Sequence, residues 1–438
     1  MPRPRFSTMV TAALVAVALI LIGVVELMGR TDEPSGTTVV TVRLWDEQVA
    51  GAYRESFDEF HRRHPEIEVR TTLVSYASYF DTLRTDVAGG GADDIFWMNN
   101  SYLAEYADNG RLMAIAPSPD WDTSVVTQFT RGGTLWGVPQ LTDAGIALYY
   151  NADLLAAAGV EPSALGEARW DPDPATDTLR PLLARLTVDA AGRRGDSAGF
   201  EPLRVRQWGY NAANDLQGIT LNFIGSAGGV FSEGDRFAFD NPQAISALGY
   251  VVDLINTEHV APPASDTNDN GDFSRNQFLS GRMAVFQSGT YNLAQVAGQA
   301  GFRWGVAMLP AGPAGRVSVT NGIVAAGNPA TRHPEAVRAV LDWLGGEGNA
   351  YLGRSGAAIP AVLSAQRGYF DYWNDKGVDV TPFFAVLDGP RIAAPGGAGF
   401  AAGFQAIKPF FDEMFMGRRP VAETLAAAQQ AANTAAQR

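Results

Sequence analysis

The sequence predicts an α/β protein of two domains, the first built as a doubly wound sheet. Three observations carry this. The chain has 438 residues, more than one ordinary core organises. Apolar residues make up 46% and charged residues 18%, so there is ample material for large cores. From residue 38 the apolar pattern switches between period two and helical spacing, in the order strand, helix, strand, helix, strand. Right-handed crossovers make such strands parallel, and the site of such a domain lies at their carboxyl ends.

The elements follow in order. TVVTVRLW, 38–45, alternates as a strand, and 50–63 is an amphipathic helix with Tyr53, Phe57 and Phe60 at helical spacing. A second strand covers 67–74, a helix covers 77–88, and GGGADD breaks it. DIFWM, 94–98, is a third strand, and YLAEYADNGRL is a helix closed by Gly110. LWGVP and IALYYN, within 134–150, are two more strands, and NADLLAAAGV is a helix ended by Gly159. Residues 161–206 are loop-rich around a helix near 177–187, and 212–224 and 241–257 are helices. SRNQ, 274–277, is a capping box that starts a helix ending near Gly281. A strand at 283–286, a helix from Asn292, the strand FRWGVAML, the loop PAGPAG and the strand NGIVAAG come next. HPEAVRAVLDWLGG turns Ala336, Val340, Trp343 and Leu344 inward, and the C-terminal AETLAAAQQAANTAAQR is a strong helix former.

Residues 1–37 form a separate segment. Arg3 and Arg5 precede an apolar run from Met9 to Val25, interrupted only by Thr11, and a Pro/Ser/Gly/Thr linker follows. A basic flank before an apolar run is an export signal or a signal anchor. The expectation is an exported body, held at the outer face of the membrane by this segment.

Composition closes several function classes. The net charge is −14, and the first 30 residues contribute +2, leaving an acidic body of −16. Phosphate backbones need a basic face, so nucleic acid is not the partner. The absence of cysteine excludes disulfides, thiolate metal sites, a cysteine nucleophile and lipid attachment through cysteine. His61, His64, His259 and His333 are scattered, and His61 and His64 fall on a helix surface as solvated residues. Asp266, Asn268, Asn270 and Gly271 partly match a calcium loop, but position 12 is Gln277, so an Asx-rich turn before a helix is preferred. No P-loop or dinucleotide fingerprint occurs, and the acidic residues alone leave a glycosidase-type carboxylate pair open.

Strand ends carry the informative residues. Trp45 is followed by Asp46, Glu47 and Gln48, and Trp97 by Asn99, Asn100 and Ser101. Asp143 precedes IALYYN, and Tyr291 and Asn292 follow the 283–286 strand. Aromatic faces beside planar polar groups suit sugars, whose C–H faces stack while hydroxyls pair with carboxylates and amides.

Five segments in order resemble the family-1 extracellular solute-binding proteins of ABC importers, the maltose-binding-protein-like family. They are RESFDEFHRRHPEIEVR, LRTDVAGGGADDIFWMNNSYLAEYADNGRL, GTLWGVPQ with IALYYNADLLAAAGV, GRMAVFQSGTYN and RWGVAMLPAGPAG. The resemblance covers about 38–430 and implies a two-lobe periplasmic-binding-protein-like fold of type II, with ligand between the lobes. It implies a first lobe of 38–148 plus 321–358 and a second of 149–320 plus 359–438. It places Trp45, Asp46, Glu47, Asn99, Asn100 and Asp143 in the cleft, with Asn214, Gln217 and Asn222 from the 212–222 helix. Tyr291 stands where the family usually has a sugar-stacking tryptophan, and GPRIAAPGG adds Arg391. The implied activity is reversible capture of a mono- or oligosaccharide by a monomer, without cofactor or chemistry, and delivery to the transmembrane subunits of a permease. An exported carbohydrate-active enzyme and a membrane-tethered sensor are the rival readings.

Overall fold

The computed structural model describes residues 36–142, 144–320 and 322–437. The expected N-terminal anchor therefore lies outside the described residues. The chain opens with β1 (Thr38–Leu44), α1 (Glu47–Arg63), β2 (Ile67–Leu73), α2 (Tyr76–Gly89), β3 (Ile95–Asn99) and α3 (Asn100–Asp108). It continues through β4 (Val138–Leu141), β5 (Ala147–Asn151), α4 (Leu221–Ser226), α5 (Pro242–Asn256), β6 (Val285–Ser288), β7 (Trp304–Ala307) and β8 (Ser318–Thr320). It ends with β9 (Ile323–Gly327), α6 (Pro334–Leu344), β10 (Arg391–Ala393), α7 (Phe400–Phe415) and α8 (Val421–Ala435).

Two sheets organise two lobes. The first has the order β2-β1-β3-β9-β4. β1 runs parallel to β2 and β3, whereas β9 is antiparallel to β3 and β4. Val40, Val42 and Leu44 of β1 meet Tyr53, Phe57 and Phe60 of α1 in one core, which takes in residues 40–138 and 323–362. The second sheet is β6-β5-β7, antiparallel throughout. Its side chains alternate between two cores, as period two requires. Leu148 packs with Trp170, Phe223 and Tyr250 on one face, and Tyr149 packs with Phe278, Phe286, Trp373 and Phe383 on the other.

A buried charge cluster fixes the first sheet. Arg43 reaches Asp86 and Asp93 at 2.6 Å each, and Asp93 also accepts from Thr72 Oγ1 at 2.9 Å. Arg43 on β1 is thereby tied to β2, α2 and the approach to β3. Opposite charges in the interior offset their desolvation only with such geometry, so the cluster enforces strand order more than it adds stability.

The structure corrects three local expectations. The capping box at 274–277 does not form: its helix begins at Phe273, and Asp272 before it is helical with no side-chain cap. A box needs an extended N-cap residue, and the preceding turn delivers a helical one. The strand expected at 283–286 lies at 285–288, because Met283 bridges Trp208 instead. The expected 212–224 helix starts as a π-helical turn, Leu216–Thr220, capped by Asp215, before α4.

The 161–206 stretch carries a strand pair of its own, Val188–Asp189 against Val205–Gln207. Asp189, fully buried, accepts from the amides of Ala191, Arg193 and Glu201 and from Arg193 Nε. Desolvation works to raise its pKa, but these donors together hold it at about 2. A depressed carboxylate contributes stability above its ordinary value of 3.8 and loses it as pH falls through about 2. Hydrogen exchange is expected to show the Ala191 and Arg193 amides protected at pH 4 and losing protection only toward pH 2. Early loss near pH 4 would mean the network does not hold the loop.

Candidate functional site

Strand registers mark two edges. β1, β2 and β3 all end at one edge of the first sheet, where Asn99 at the end of β3 pairs with Ile323, the first residue of β9. In the second sheet Ser288, ending β6, pairs with Ala147, the first residue of β5. Both edges thus lie next to points where the chain passes from one sheet to another.

On the first lobe, Trp45 is half-buried and meets Tyr76, Tyr79 and Trp97 edge-on at 5.4, 4.8 and 5.0 Å. Asp46 caps α1 through Oδ1, which accepts from Gln48 N at 2.8 Å and Val49 N at 3.0 Å. Desolvation raises its pKa, partly offset by those two amides. Glu47 is exposed in the first turn of α1. Asn99 caps α3 and donates Nδ2 to Tyr76 Oη at 3.3 Å. The Oδ1 of Asn100 is buried and makes no hydrogen bond within the protein. Trp97 is core: 1% exposed, it donates to Tyr53 Oη at 3.2 Å.

On the second lobe, Tyr291 is 46% exposed, and its ring lies against Gly289. A Cβ on Gly289 would come within 2.3 Å of that ring, so only glycine leaves room for it. Gly289→Ala is expected to push the ring aside and weaken ligand binding by about 1 kcal/mol, roughly fivefold, as titration calorimetry would read it. Asp215 caps the π-helical turn, accepting from Gly218 N at 2.8 Å. It is half-buried, and desolvation raises its pKa against that capping bond. A buried amide ties this turn to β6. Gln287 donates Nε2 to Gly218 O at 2.6 Å and accepts from Tyr210 Oη at 2.5 Å, while Asn211 pairs with its backbone on both sides.

The remaining expected residues separate into two groups. Gln217 is half-buried on the same turn as Asp215. Asn214 turns away, donating to Asp412 Oδ1 at 3.2 Å. Asn222 is spent on backbone: it donates to Gln217 O and Gly218 O and accepts from Val319 N. Asn292 is buried and donates to Ser288 Oγ at 2.8 Å. Arg391 is exposed and donates to Leu387 O at 3.1 Å. Asp143 lies outside the described residues. Tyr76 and Asp215 were not anticipated from sequence. In the Asx-rich turn, Asp269 pairs with Lys408 and Asp272 with Arg275, and among the described residues no cluster is placed to hold a metal.

The family of bacterial extracellular solute-binding proteins matches residues 46–351. The chain belongs to this family. Its fold is therefore the two-lobe, type II binding-protein fold, whose members bind solutes rather than transform them. UspC of Mycobacterium tuberculosis is 71% identical, with a TM-score of 0.74, covering 91% of this chain and 100% of that one. The ABC substrate-binding protein Lmo0181 of Listeria monocytogenes, solved with cycloalternan, has a TM-score of 0.77 at 19% identity, covering 91% of this chain and 98% of that one. A probable ABC transporter-binding protein of Deinococcus radiodurans is 30% identical over 235 residues, 51% of this chain and 50% of that protein. The aligned stretch thus spans about half the length of that relative.

Proposed function

We propose that the chain is the extracytoplasmic solute-capture component of an ABC importer, and that its solute is a mono- or oligosaccharide. The observation that carries this is the pairing of chemistry at the two sheet edges. Tyr76 and Asp46 follow strand ends of the first lobe, and Tyr291 follows β6, which Gln287 ties to the turn capped by Asp215; both rings are exposed. Rings take the apolar faces of a pyranose, and the acceptors take its hydroxyls. Proteins of the same fold, at 18–20% identity, are seen with acarbose, maltose and mannotriose. The lobe division at 148/149, 320/321 and 358/359 belongs to this reading, as does the cleft set of Trp45, Asp46, Tyr76, Asn100, Asp215, Gln217 and Tyr291.

Capture proceeds by binding alone. Lobes move about the crossings, ligand fills the cleft, and the liganded form docks on the permease subunits. Residues 1–37, as anchor and linker, hold the body at the membrane. Among the described residues no helix is long and apolar enough to cross a membrane, so this tether rests on the Met9–Val25 run.

A thermal-shift screen against mono- and oligosaccharides, with amino acids, peptides and polyols as controls, tests the reading. A ligand at 100 times its dissociation constant adds about 2.7 kcal/mol of stability. A shift with one sugar class is expected. A shift with peptides or anions and none with sugars would overturn the sugar assignment.

A further inference from the structure

The lobes also touch beside the crossings. The first turn of α3 on the first lobe lies against the 394–399 loop before α7 on the second. Ser101, 4% exposed, donates Oγ to the Pro395 carbonyl at 2.5 Å. Gly396 lies backbone to backbone on the same turn: a Cβ there would sit 3.1 Å from Asn100 O and 3.4 Å from Ser101 Cα. Gly397 follows with φ +122°, a conformation that favours glycine, pressed against Asp235 of its own lobe. Tyr102 stacks on Phe80 of the first lobe at 3.7 Å and meets Phe400 of the second edge-on at 5.5 Å. Arg131 pairs with Asp108 through two 2.6 Å bonds and reaches Asp235 across the gap at 3.5 Å.

Each ring keeps its main partners within its own lobe. Phe80 packs with the Trp45 cluster, and Phe400 stacks on Phe237 and Phe404. The contact can therefore part without opening either core. It consists of one buried hydrogen bond, one edge-on ring pair, one ion pair between Arg131 and Asp235, and a glycine that lets two backbones meet. We propose that it is a latch between the lobes, made and broken as they move, which sets the lobe arrangement before ligand arrives. Ser101 and Gly396 are its working residues, and neither belongs to the cleft set.

The chain has no cysteine, so Ser101→Cys with Gly396→Cys can be oxidised without competing bridges. The approach between these backbones is within disulfide reach. A second variant, Gly396→Val, wedges the contact open while deleting no core atom. The φ of Gly396 is outside the positive region, so valine adds bulk without backbone strain.

Three results are expected without any ligand. The double-cysteine variant cross-links, Gly396→Val shifts the small-angle scattering profile to a larger radius of gyration, and its melting temperature stays with the parent. Failure to cross-link would mean the backbones do not meet in solution, and an unchanged radius would mean the contact does not set the lobes. A lower melting temperature at constant radius would place the contact inside one core. Any of these three overturns the latch, and none depends on which solute binds.

Discussion

Replacing Tyr291 by alanine is expected to weaken ligand binding about 30-fold, some 2 kcal/mol, with the melting temperature unchanged. The two readouts separate because of where the ring sits. At 46% exposure it contributes little to the core, so folding loses little when it is removed. A sugar laid on it would bury that open face and gain the stacking contact. Gly289 beneath the ring and the Tyr149 hydroxyl on the Gly289 carbonyl at 2.8 Å set its position before ligand arrives. Titration calorimetry with the sugar found in the screen, alongside melting curves, decides the point. Parent affinity in the variant removes Tyr291 from the site. A large fall in both affinity and melting temperature makes it a structural residue.

The fold was legible because its signals are local and repeated. Val40, Val42 and Leu44 alternate inward, and Tyr53, Phe57 and Phe60 recur at helical spacing, so strand and helix announce themselves. The antiparallel insertion of β9 beside β3 carries no such signal. NGIVAAG is a plausible strand anywhere, and only its partners, Asn99 on one side and Leu141 on the other, give it a place. The π-helical turn at 216–220 was hidden for a related reason. It depends on Asp215 capping Gly218, while its apolar spacing matches an ordinary helix.

The candidate site was legible as a set of strand ends but not residue by residue. Asn222 and Asn292 have the chemistry of ligand contacts, yet their amides serve the backbone and Ser288. A buried amide must be satisfied, and sequence does not distinguish satisfaction by protein from satisfaction by ligand. Tyr76 carries no such signal in the sequence, because it opens a helix whose buried stripe is Tyr79, Phe80 and Leu83. Only the three-dimensional placement puts its hydroxyl on Asn99 and its ring against Trp45. That placement also recasts Asn99: its amide donates to the Tyr76 hydroxyl, a partner within the protein.

Asp215→Asn is expected to raise the melting temperature at pH 7 while weakening ligand binding about tenfold or more. The capping bond to Gly218 survives, because an asparagine oxygen accepts as a carboxylate does. What is lost is a desolvated negative charge, whose burial raises the pKa of Asp215. A raised carboxylate contributes its full stability below the unfolded pKa and loses it as pH rises through the folded value. The advantage of the asparagine variant should therefore appear at neutral pH and vanish near pH 3.5, which melting curves at the two pH values would reveal. Binding moves the other way, since hydrogen bonds to a charged acceptor are worth about 1.5–3 kcal/mol. If the variant binds as the parent does, Asp215 only caps its turn, and recognition on the second lobe falls to Tyr291 and Gln217.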